Sequence, residues 1–329
     1  KKTYTEITKC RISDSENLTT VLSLGNMDLT GVFPKSKDEK VTNGPVDLVW
    51  CPDSGLLQMK QTYNLEEMYG DNYGYRSGLN SSMVSHLKQK IKTLENIVKL
   101  NDSDLVIDIG SNDATSLKSY KGNHRKVGID PTGSKFKEFY TDDITLIADF
   151  FTADKFRKLF PNEKAKIITS IAMFYDLESP LDFVSDIASC LDDEGIWHFE
   201  QSYMPSMLKT NSYDTICHEH LEFYSLKVVK KMLEKSGLRI IDVQMNSING
   251  GSFAVTACKE KASHSSNEPI ISWLLNQEDD MGLDTPKPYN EFAERAFKHK
   301  KNLVDLIDAL VKDGKKVFGY GASTKGNVL

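Results

Sequence analysis

The sequence predicts an α/β protein with a doubly wound, mostly parallel sheet of seven strands. Five segments are apolar at nearly every position, and segments able to form helices separate them. Continuous apolarity marks strands that are buried on both faces, which is typical of parallel sheets in βαβ units. Two more strand-like segments, 238–243 and 252–256, flank Asn249-Gly250-Gly251, which suits a tight turn between antiparallel strands. The five apolar segments are 105–109, 126–130, 144–147, 166–171 and 195–199.

The segments around this sheet divide the chain into three predicted units. Residues 1–62 alternate short apolar stretches with turn residues, which indicates a small β-rich module. Residues 63–260 hold the sheet. Residues 261–329 are the third unit. It begins inside a polar, proline-containing boundary segment (259–288), continues as a long helix over about 289–312, and ends as a strand that enters a glycine-rich turn. A strand and a turn alone cannot make a domain, so we expect a truncated third unit.

Three helices are predicted beside the sheet. The first begins at Ser81, where apolar residues recur at three- and four-residue steps along one face. A second is expected over 181–191. The third runs from Leu226 to Lys235, with Ser225 as its N-cap and Gly237 as its stop. Residues 63–80 are too rich in glycine and tyrosine for a helix and are interpreted as an ordered loop.

Composition and charge exclude several classes of protein. Apolar residues make up 39% of the 329 residues and charged residues 27%, a balance typical of soluble domains. The net charge is −6 and the basic residues are scattered, which argues against a nucleic-acid partner. No apolar run approaches the roughly 20 residues of a bilayer helix, and the N-terminus lacks a signal peptide's apolar core. Five widely spaced cysteines indicate reduced thiols and a cytoplasmic location. The sequence leaves the oligomeric state open and is compatible with a monomer.

A glycine turn after the first parallel strand is the first candidate site. It comprises Asp108, Gly110, Ser111, Asn112 and Asp113, and Asp130-Pro131 follows at the end of the next strand. Glycine lets a ligand approach the backbone at the open end of a central strand. An acid about twenty residues further along the chain is placed to accept hydrogen bonds from ribose hydroxyls. A single glycine, instead of the three that a dinucleotide fold requires, favours S-adenosylmethionine over NAD. The alternative is that this segment is only a turn.

The segment 213–220 (YDTICHEH) is the second candidate site. His218 and His220 flank Glu219, which concentrates groups that exchange protons near neutral pH. In an extended segment both histidines would point to one side and Glu219 to the other. Three interpretations remain open: a general base in a substrate pocket, a metal site that lacks an identified third ligand, and a structural cluster.

These segments carry a family resemblance. In order and spacing, three segments resemble the S-adenosylmethionine-dependent sugar C-methyltransferases that act on nucleotide-linked keto-deoxysugars. They are 108–113 (DIGSND), 213–220 and 249–252 (NGGS). Residues 319–327 (GYGASTKGN) are similar to the opening of that family's C-terminal Rossmann-like domain. The resemblance covers nearly the whole chain and implies a class I methyltransferase fold with S-adenosylmethionine as cofactor and a nucleotide-linked sugar as substrate.

The resemblance also implies roles for individual residues. His220 matches the base that removes a proton beside the sugar ketone, and Glu219 the acid that orients or assists it. Loss of that proton gives an enolate whose carbon attacks the methyl group on sulfonium. Tyr75, Tyr224 and Asn249 are candidate donors to the enolate oxygen. The Tyr/Gly loop matches a family segment over the cofactor and substrate, so Tyr73, Tyr75, Arg76 and Ser77 are expected to close the pocket; packing under a loop is the alternative.

The chain departs from the family at two places. The family's N-terminal module binds zinc through paired C-x-x-C turns, whereas Ser13 and Ser54 stand here where the second cysteine of each pair would be. Because a serine hydroxyl replaces thiolate poorly, no metal is expected with Cys10 and Cys51. Cys217 and Asn249 also stand where the family often has tyrosine and histidine. An O- or N-methyltransferase and a non-catalytic binding subunit therefore remain alternatives, and an NAD-dependent enzyme is the least favoured.

Overall fold

The computed structural model describes residues 3–69, 73–319 and 323–329. The strands are β1 (Tyr4–Glu6), β2 (Thr19–Asp28), β3 (Asn43–Trp50), β4 (Leu57–Met59), β5 (Gln61–Tyr63), β6 (Leu105–Ile109), β7 (Arg125–Ile129), β8 (Ile144–Ile147), β9 (Ala165–Ile171), β10 (Leu191–Ser202), β11 (Glu222–Phe223), β12 (Leu238–Asn246) and β13 (Ser252–Lys259). The helices are α1 (Leu65–Met68), α2 (Ser81–Ile97), α3 (Ala153–Leu159), α4 (Pro180–Cys190), α5 (Met204–Thr210), α6 (Leu226–Lys235), α7 (Glu268–Asp280), α8 (Lys287–Lys312) and α9 (Thr324–Val328).

Seven strands form one mixed sheet in the order β12-β13-β10-β9-β6-β7-β8. The five strands from β10 to β8 run parallel, whereas β13 pairs antiparallel with both β10 and β12. The chain winds outward from β6 through β7 and β8, then returns to the other side of β6 with β9. The switch point between β6 and β9 is where α/β sheets of this kind bind ligands. The predicted α/β fold with a seven-stranded sheet is confirmed.

Both faces of the sheet are covered, as continuous apolarity in the strands predicts. Alternate residues of β6 enter different cores: Ile107 packs with residues of α3, α4, α6 and α7, whereas Val106 packs with residues of α2.

The caps explain where two helices begin. Asn80 accepts a hydrogen bond from the Ser82 N–H at the start of α2, and Ser225 accepts one from the Val228 N–H at the start of α6.

The N-terminal module joins the rest of the chain through a strand and a shared core. Its four-stranded antiparallel sheet has the order β11-β4-β3-β2, and β11 comes from the segment just after residue 220. Trp50 of β3 stacks on Tyr289 of α8, with 5.2 Å between ring centroids. Both rings lie in a core that also includes Met204 and Met207 of α5. The module is therefore packed into the molecule over a continuous apolar surface.

The C-terminal part of the chain, from residue 259, differs from the sequence prediction at two places. The polar stretch 259–288 contains a 13-residue helix, α7, because Ile271 and Leu274 face the main core. Residues 315–319 do not form the predicted strand, since no other described segment pairs with them. Residues 320–322 of the glycine-rich turn lie outside the described residues. In the described ranges, no helix is long and apolar enough to span a bilayer.

Candidate active site

The glycine turn lies at the carboxyl ends of the parallel strands, beside the switch point. Asp108, in β6, is buried and accepts a hydrogen bond from the Thr169 hydroxyl of β9 at 2.6 Å. Burial raises the pKa of Asp108 to about 7. Gly110 has a φ of +75°, and a Cβ placed there would lie 3.0 Å from the Met173 Cγ. The turn thus has the left-handed conformation and close packing that require glycine.

Asp130 ties the end of β7 to this turn. One carboxylate oxygen accepts the Asn112 N–H at 2.8 Å, and the other accepts the N–H and the hydroxyl of Thr132, each at 2.6 Å. The Ser111 hydroxyl hydrogen-bonds to the Tyr140 hydroxyl at 2.7 Å. Pro131 is exposed at the same edge. The structure therefore brings together the acids predicted from the two strand ends.

Asn112 and Asp113 hold the Tyr/Gly loop in place. The Asn112 side chain accepts the Ser77 N–H at 2.9 Å and donates to the Tyr75 carbonyl at 3.1 Å. The Asp113 carboxylate accepts the Gly78 N–H at 2.9 Å. These two side chains, predicted to contact the cofactor, are thus engaged in positioning the loop predicted to cover it. Residues 70–72 of that loop lie outside the described residues.

The segment with the two histidines is a turn, so the extended arrangement considered for it is wrong. The His220 N–H donates to the Cys217 carbonyl at 3.1 Å, and this turn directs the two histidines to different surroundings. His218 is fully buried, with its Nδ1 3.2 Å from both the N–H and the hydroxyl of Thr30, in the N-terminal module. Burial lowers the pKa of His218 to about 4.

His220 has one ring nitrogen fixed by the backbone. Its Nδ1 lies 2.7 Å from the Thr215 carbonyl, which can only accept, so Nδ1 carries the proton and Nε2 keeps its lone pair. The imidazole meets the Tyr175 ring edge to face at 4.2 Å between centroids. Burial lowers the pKa of His220 to about 4. Neutral His220 therefore presents a hydrogen-bond acceptor at Nε2.

Two half-buried acids, Glu219 and Asp176, are the chain neighbours of the two residues in the His220–Tyr175 ring contact. One oxygen of Glu219 and one of Asp176 are inaccessible and have no hydrogen-bond partner among the described residues. The other Asp176 oxygen accepts from the Tyr69 hydroxyl at 3.1 Å. Burial raises the pKa of Glu219, and burial together with the Glu219 charge raises that of Asp176.

Asp176 is not among the site residues predicted from the sequence. The available signal was its position five residues after β9, at the carboxyl edge of the sheet where Gly110 also lies. An acid that follows a buried parallel strand is a candidate site residue for the same reason as Asp130.

The candidate oxyanion donors lie in three different places. Tyr75 is 52% exposed on the Tyr/Gly loop, and Tyr73 is half-buried beside it. Asn249 is exposed in the turn between β12 and β13, with a φ of +56°. Tyr224 is fully buried in the main core, where it stacks on Phe174 at 5.0 Å. Within the described ranges, no hydrogen bond or ring contact links His220 to the three candidate donors, Tyr75, Asn249 and Tyr224, or to the neighbouring Tyr73.

Comparison with known proteins gives a consistent picture along the chain. Residues 10–69 match a family model described as "Putative zinc binding domain", residues 83–243 a methyltransferase domain, and residues 247–329 a C-methyltransferase C-terminal domain. The C-methyltransferase NovU of Streptomyces niveus is 28% identical over 327 residues, which are 98% of this chain and 77% of NovU.

Two solved structures are similar over part of the chain. Magnesium protoporphyrin IX methyltransferase (ChlM) of Synechocystis PCC 6803 is 16% identical, with a TM-score of 0.42 over 58% of this chain and 90% of ChlM. The YcgJ protein of Bacillus subtilis is 14% identical, with a TM-score of 0.40 over 54% of this chain and 99% of YcgJ. The three family models occur in succession from residue 10 to the last residue, and with the NovU similarity they confirm the predicted resemblance to the S-adenosylmethionine-dependent sugar C-methyltransferases.

Proposed function

We propose that this chain transfers a methyl group from S-adenosylmethionine to a carbon atom of a nucleotide-linked keto-deoxysugar, with His220 as the base. We place the reaction in the cytoplasm, in keeping with five cysteines that are all free thiols. The observation that carries the proposal is the state of His220. Its Nδ1 is fixed on a carbonyl, whereas its Nε2 and one oxygen each of Glu219 and Asp176 have no hydrogen-bond partner among the described residues.

The residues at the glycine turn fit the cofactor. A carboxylate offers about four acceptor positions, and bonds from Asn112 and Thr132 occupy three of those on Asp130, which leaves about one for a ribose hydroxyl. Glycine at 110 is needed for the close packing of this turn, since a Cβ there would meet Met173. Phe150 follows β8 at the same edge and is 43% exposed, so its ring is accessible to an adenine base. When bound, S-adenosylmethionine supplies a methyl group made electrophilic by sulfonium.

His220 removes the proton. A proton on the carbon beside the ketone passes to Nε2, its bonding electrons form an enolate, and that carbon bonds to the incoming methyl group as the methyl–sulfur bond breaks. A base works only when it is unprotonated, and the lowered pKa of His220 keeps the imidazole neutral at physiological pH. Transfer of the Nε2 proton to solvent then restores the base.

Glu219 and Asp176 stabilise the enolate oxygen in this proposal. A buried carboxyl group that keeps its proton donates a hydrogen bond where a carboxylate would repel developing negative charge. Burial raises the pKa of both groups, and the two acids disfavour each other's ionisation. The Cys217 thiol hydrogen-bonds to Glu219 and so contributes through that acid.

Proton exchange tests the base separately from methyl transfer. Purified chain is incubated in D₂O with S-adenosylhomocysteine and a panel of nucleotide-linked keto-deoxysugars, and deuterium at the carbon beside the ketone is followed by NMR. We expect exchange with the wild type and at least about a 100-fold slower rate with His220→Ala. Undiminished exchange in the variant would remove His220 as the base.

Methyl transfer is then measured with S-adenosylmethionine labelled in the methyl group. A new carbon–carbon bond to the label supports C-methylation. A labelled methyl on oxygen or nitrogen, without deuterium exchange, would show that the chain is an O- or N-methyltransferase. Absence of turnover together with equal affinity for S-adenosylmethionine and S-adenosylhomocysteine in calorimetry would favour a binding subunit.

A further inference from the structure

Two loops of the N-terminal module repeat the same backbone turn. In the first, the Asp14 N–H donates to the Cys10 carbonyl at 3.1 Å; in the second, the Gly55 N–H donates to the Cys51 carbonyl at 2.8 Å. The last residue of each turn is left-handed, with a φ of +56° at Asp14 and +82° at Gly55. The two loops are thus built alike, although they are forty-one residues apart in the sequence.

The loops face each other through two thiol–hydroxyl pairs. The Cys10 sulfur is 3.2 Å from the Ser54 hydroxyl oxygen, and the Cys51 sulfur is 3.7 Å from the Ser13 hydroxyl oxygen. Each pair joins one loop to the other. The Gln58 side-chain amide also donates to the Cys10 sulfur at 3.2 Å. We call Cys10, Ser13, Cys51 and Ser54 the polar clasp.

The clasp does not fit the zinc ion that the family model for this module implies. A structural zinc site uses four thiolates or imidazoles, and a serine hydroxyl does not ionise as a thiol does. Here two of the four positions are hydroxyls, and the thiols at the other two make hydrogen bonds to them. No group of three or more His, Cys, Asp or Glu side chains able to hold a metal occurs in residues 3–69, 73–319 and 323–329.

The main core and the end of α6 also stabilise the clasp. The side chains of Cys10 and Cys51 are 1% and 0% exposed and belong to the main core of the molecule. The Lys235 ammonium, at the end of α6, donates to the Ile12 carbonyl between the two clasp residues of the first loop at 3.1 Å. Buried thiols with hydrogen-bond partners carry no cost of unsatisfied polar groups.

We propose that the polar clasp holds the two loops together without a metal, and that two substitutions, Ser13→Cys and Ser54→Cys, convert it into a four-thiolate zinc site. The paired loops retain matching turns, so the change required is in side-chain chemistry. The proposal goes beyond the methyltransferase activity and does not depend on it.

Metal content of the 329-residue chain tests this proposal. The wild type, the double Cys variant and a matched Ser13→Ala/Ser54→Ala control are expressed with added zinc, desalted and measured by mass spectrometry of the metal. We expect about one zinc per chain in the double Cys variant and less than about one tenth of that in the other two proteins. About one zinc per wild-type chain, released together with unfolding by a chelator, would overturn the metal-free clasp. A folded double Cys variant that takes up no zinc would overturn the claim that the loops keep metal-binding geometry.

Thermal unfolding gives a second readout that does not require the double Cys variant to fold well. A chelator should leave the wild-type melting temperature unchanged, because there is no metal to remove. The Ala control should melt below the wild type, since it leaves both thiols and the Leu56 N–H, which donates to Ser54 at 3.1 Å, without these partners. A wild-type melting temperature that falls with chelator, or an Ala control as stable as the wild type, would contradict the proposal.

Discussion

Gly31 of the N-terminal module is predicted to be essential for activity, because the proposed catalytic acid packs directly against it. A Cβ at residue 31 would lie 1.6 Å from the Glu219 Oε1 and 2.8 Å from its Cδ. Ordinary van der Waals contact begins near 3.4 Å, so Oε1 would have to move by about 1.8 Å (3.4 − 1.6). The φ of Gly31 is not in the left-handed region, so Gly31→Ala adds this overlap without backbone strain.

Such a displacement is large on the scale of catalysis. A misplacement of about 1 Å can lower a rate about 100-fold, which corresponds to about 2.7 kcal/mol in the activation free energy. We therefore expect Gly31→Ala to lower kcat at least about 100-fold, measured as S-adenosylhomocysteine formed with saturating substrates. The melting temperature should change little, because the end of a side chain can move aside.

A double-mutant cycle shows whether the loss acts through Glu219. Asp is shorter than Glu by one methylene, so Glu219→Asp withdraws the carboxyl group from Gly31. Gly31→Ala should then cost much less in the Glu219→Asp background than in the wild type. An equal cost in both backgrounds, or full activity of Gly31→Ala, would refute the assignment of this contact.

Three further predictions concern the base, the cofactor turn and the core. The acid limb of the pH profile of kcat/KM should lie near pH 4, because the pKa of His220 is lowered to about 4. The base is lost only when it becomes protonated below that pH. An acid limb near pH 6.5 would contradict this prediction. Gly110→Ala should weaken S-adenosylhomocysteine binding in calorimetry, since its left-handed backbone costs an alanine about 1–2 kcal/mol and the added Cβ meets Met173; unchanged affinity would separate this turn from the cofactor. Phe174→Ala should lower the free energy of unfolding, measured with urea, by about 3–5 kcal/mol, because Phe174 is buried among four aromatic rings. The control Phe318→Ala should lower it by less than about 0.5 kcal/mol, because Phe318 is 84% exposed. Similar losses in the two variants would refute this packing argument.

The sheet was predictable because its signals are local. Strands buried on both faces carry apolar residues in succession, and a cap such as Ser225 marks a helix start within three residues. Helix α7 was missed because its two core-facing residues, Ile271 and Leu274, occur in a polar stretch with flanking prolines. In this segment, the packing of the two residues against the core outweighed the local preference for a loop.

The candidate site was predictable as a set of residue types but not as a geometry. Nothing near His218 in the sequence reveals that its partner is Thr30, 188 residues away. That contact separates the two histidines, which an extended segment would have placed on one side. The position of Asp176 after β9 was a local signal, but its electrostatic interaction with Glu219, on a different loop, is a long-range contact that the sequence does not show. Long-range contacts decide which members of a motif face a common pocket.

The turn that carries His220 is held by two parts of the chain, the segment after β9 and the N-terminal module. On the C-terminal side, the Leu221 N–H donates to the Tyr175 carbonyl at 2.8 Å, and the Leu221 carbonyl accepts from the Met59 N–H of the module at 2.8 Å. On the other side, Thr30 of the module contacts His218, and the Thr30 carbonyl accepts from the Asn327 side chain at 2.8 Å. A short turn has little rigidity of its own, and a base must be held within a fraction of an ångström of its working position. In the proposed reaction, the module is therefore part of the scaffold that positions His220, the proposed base.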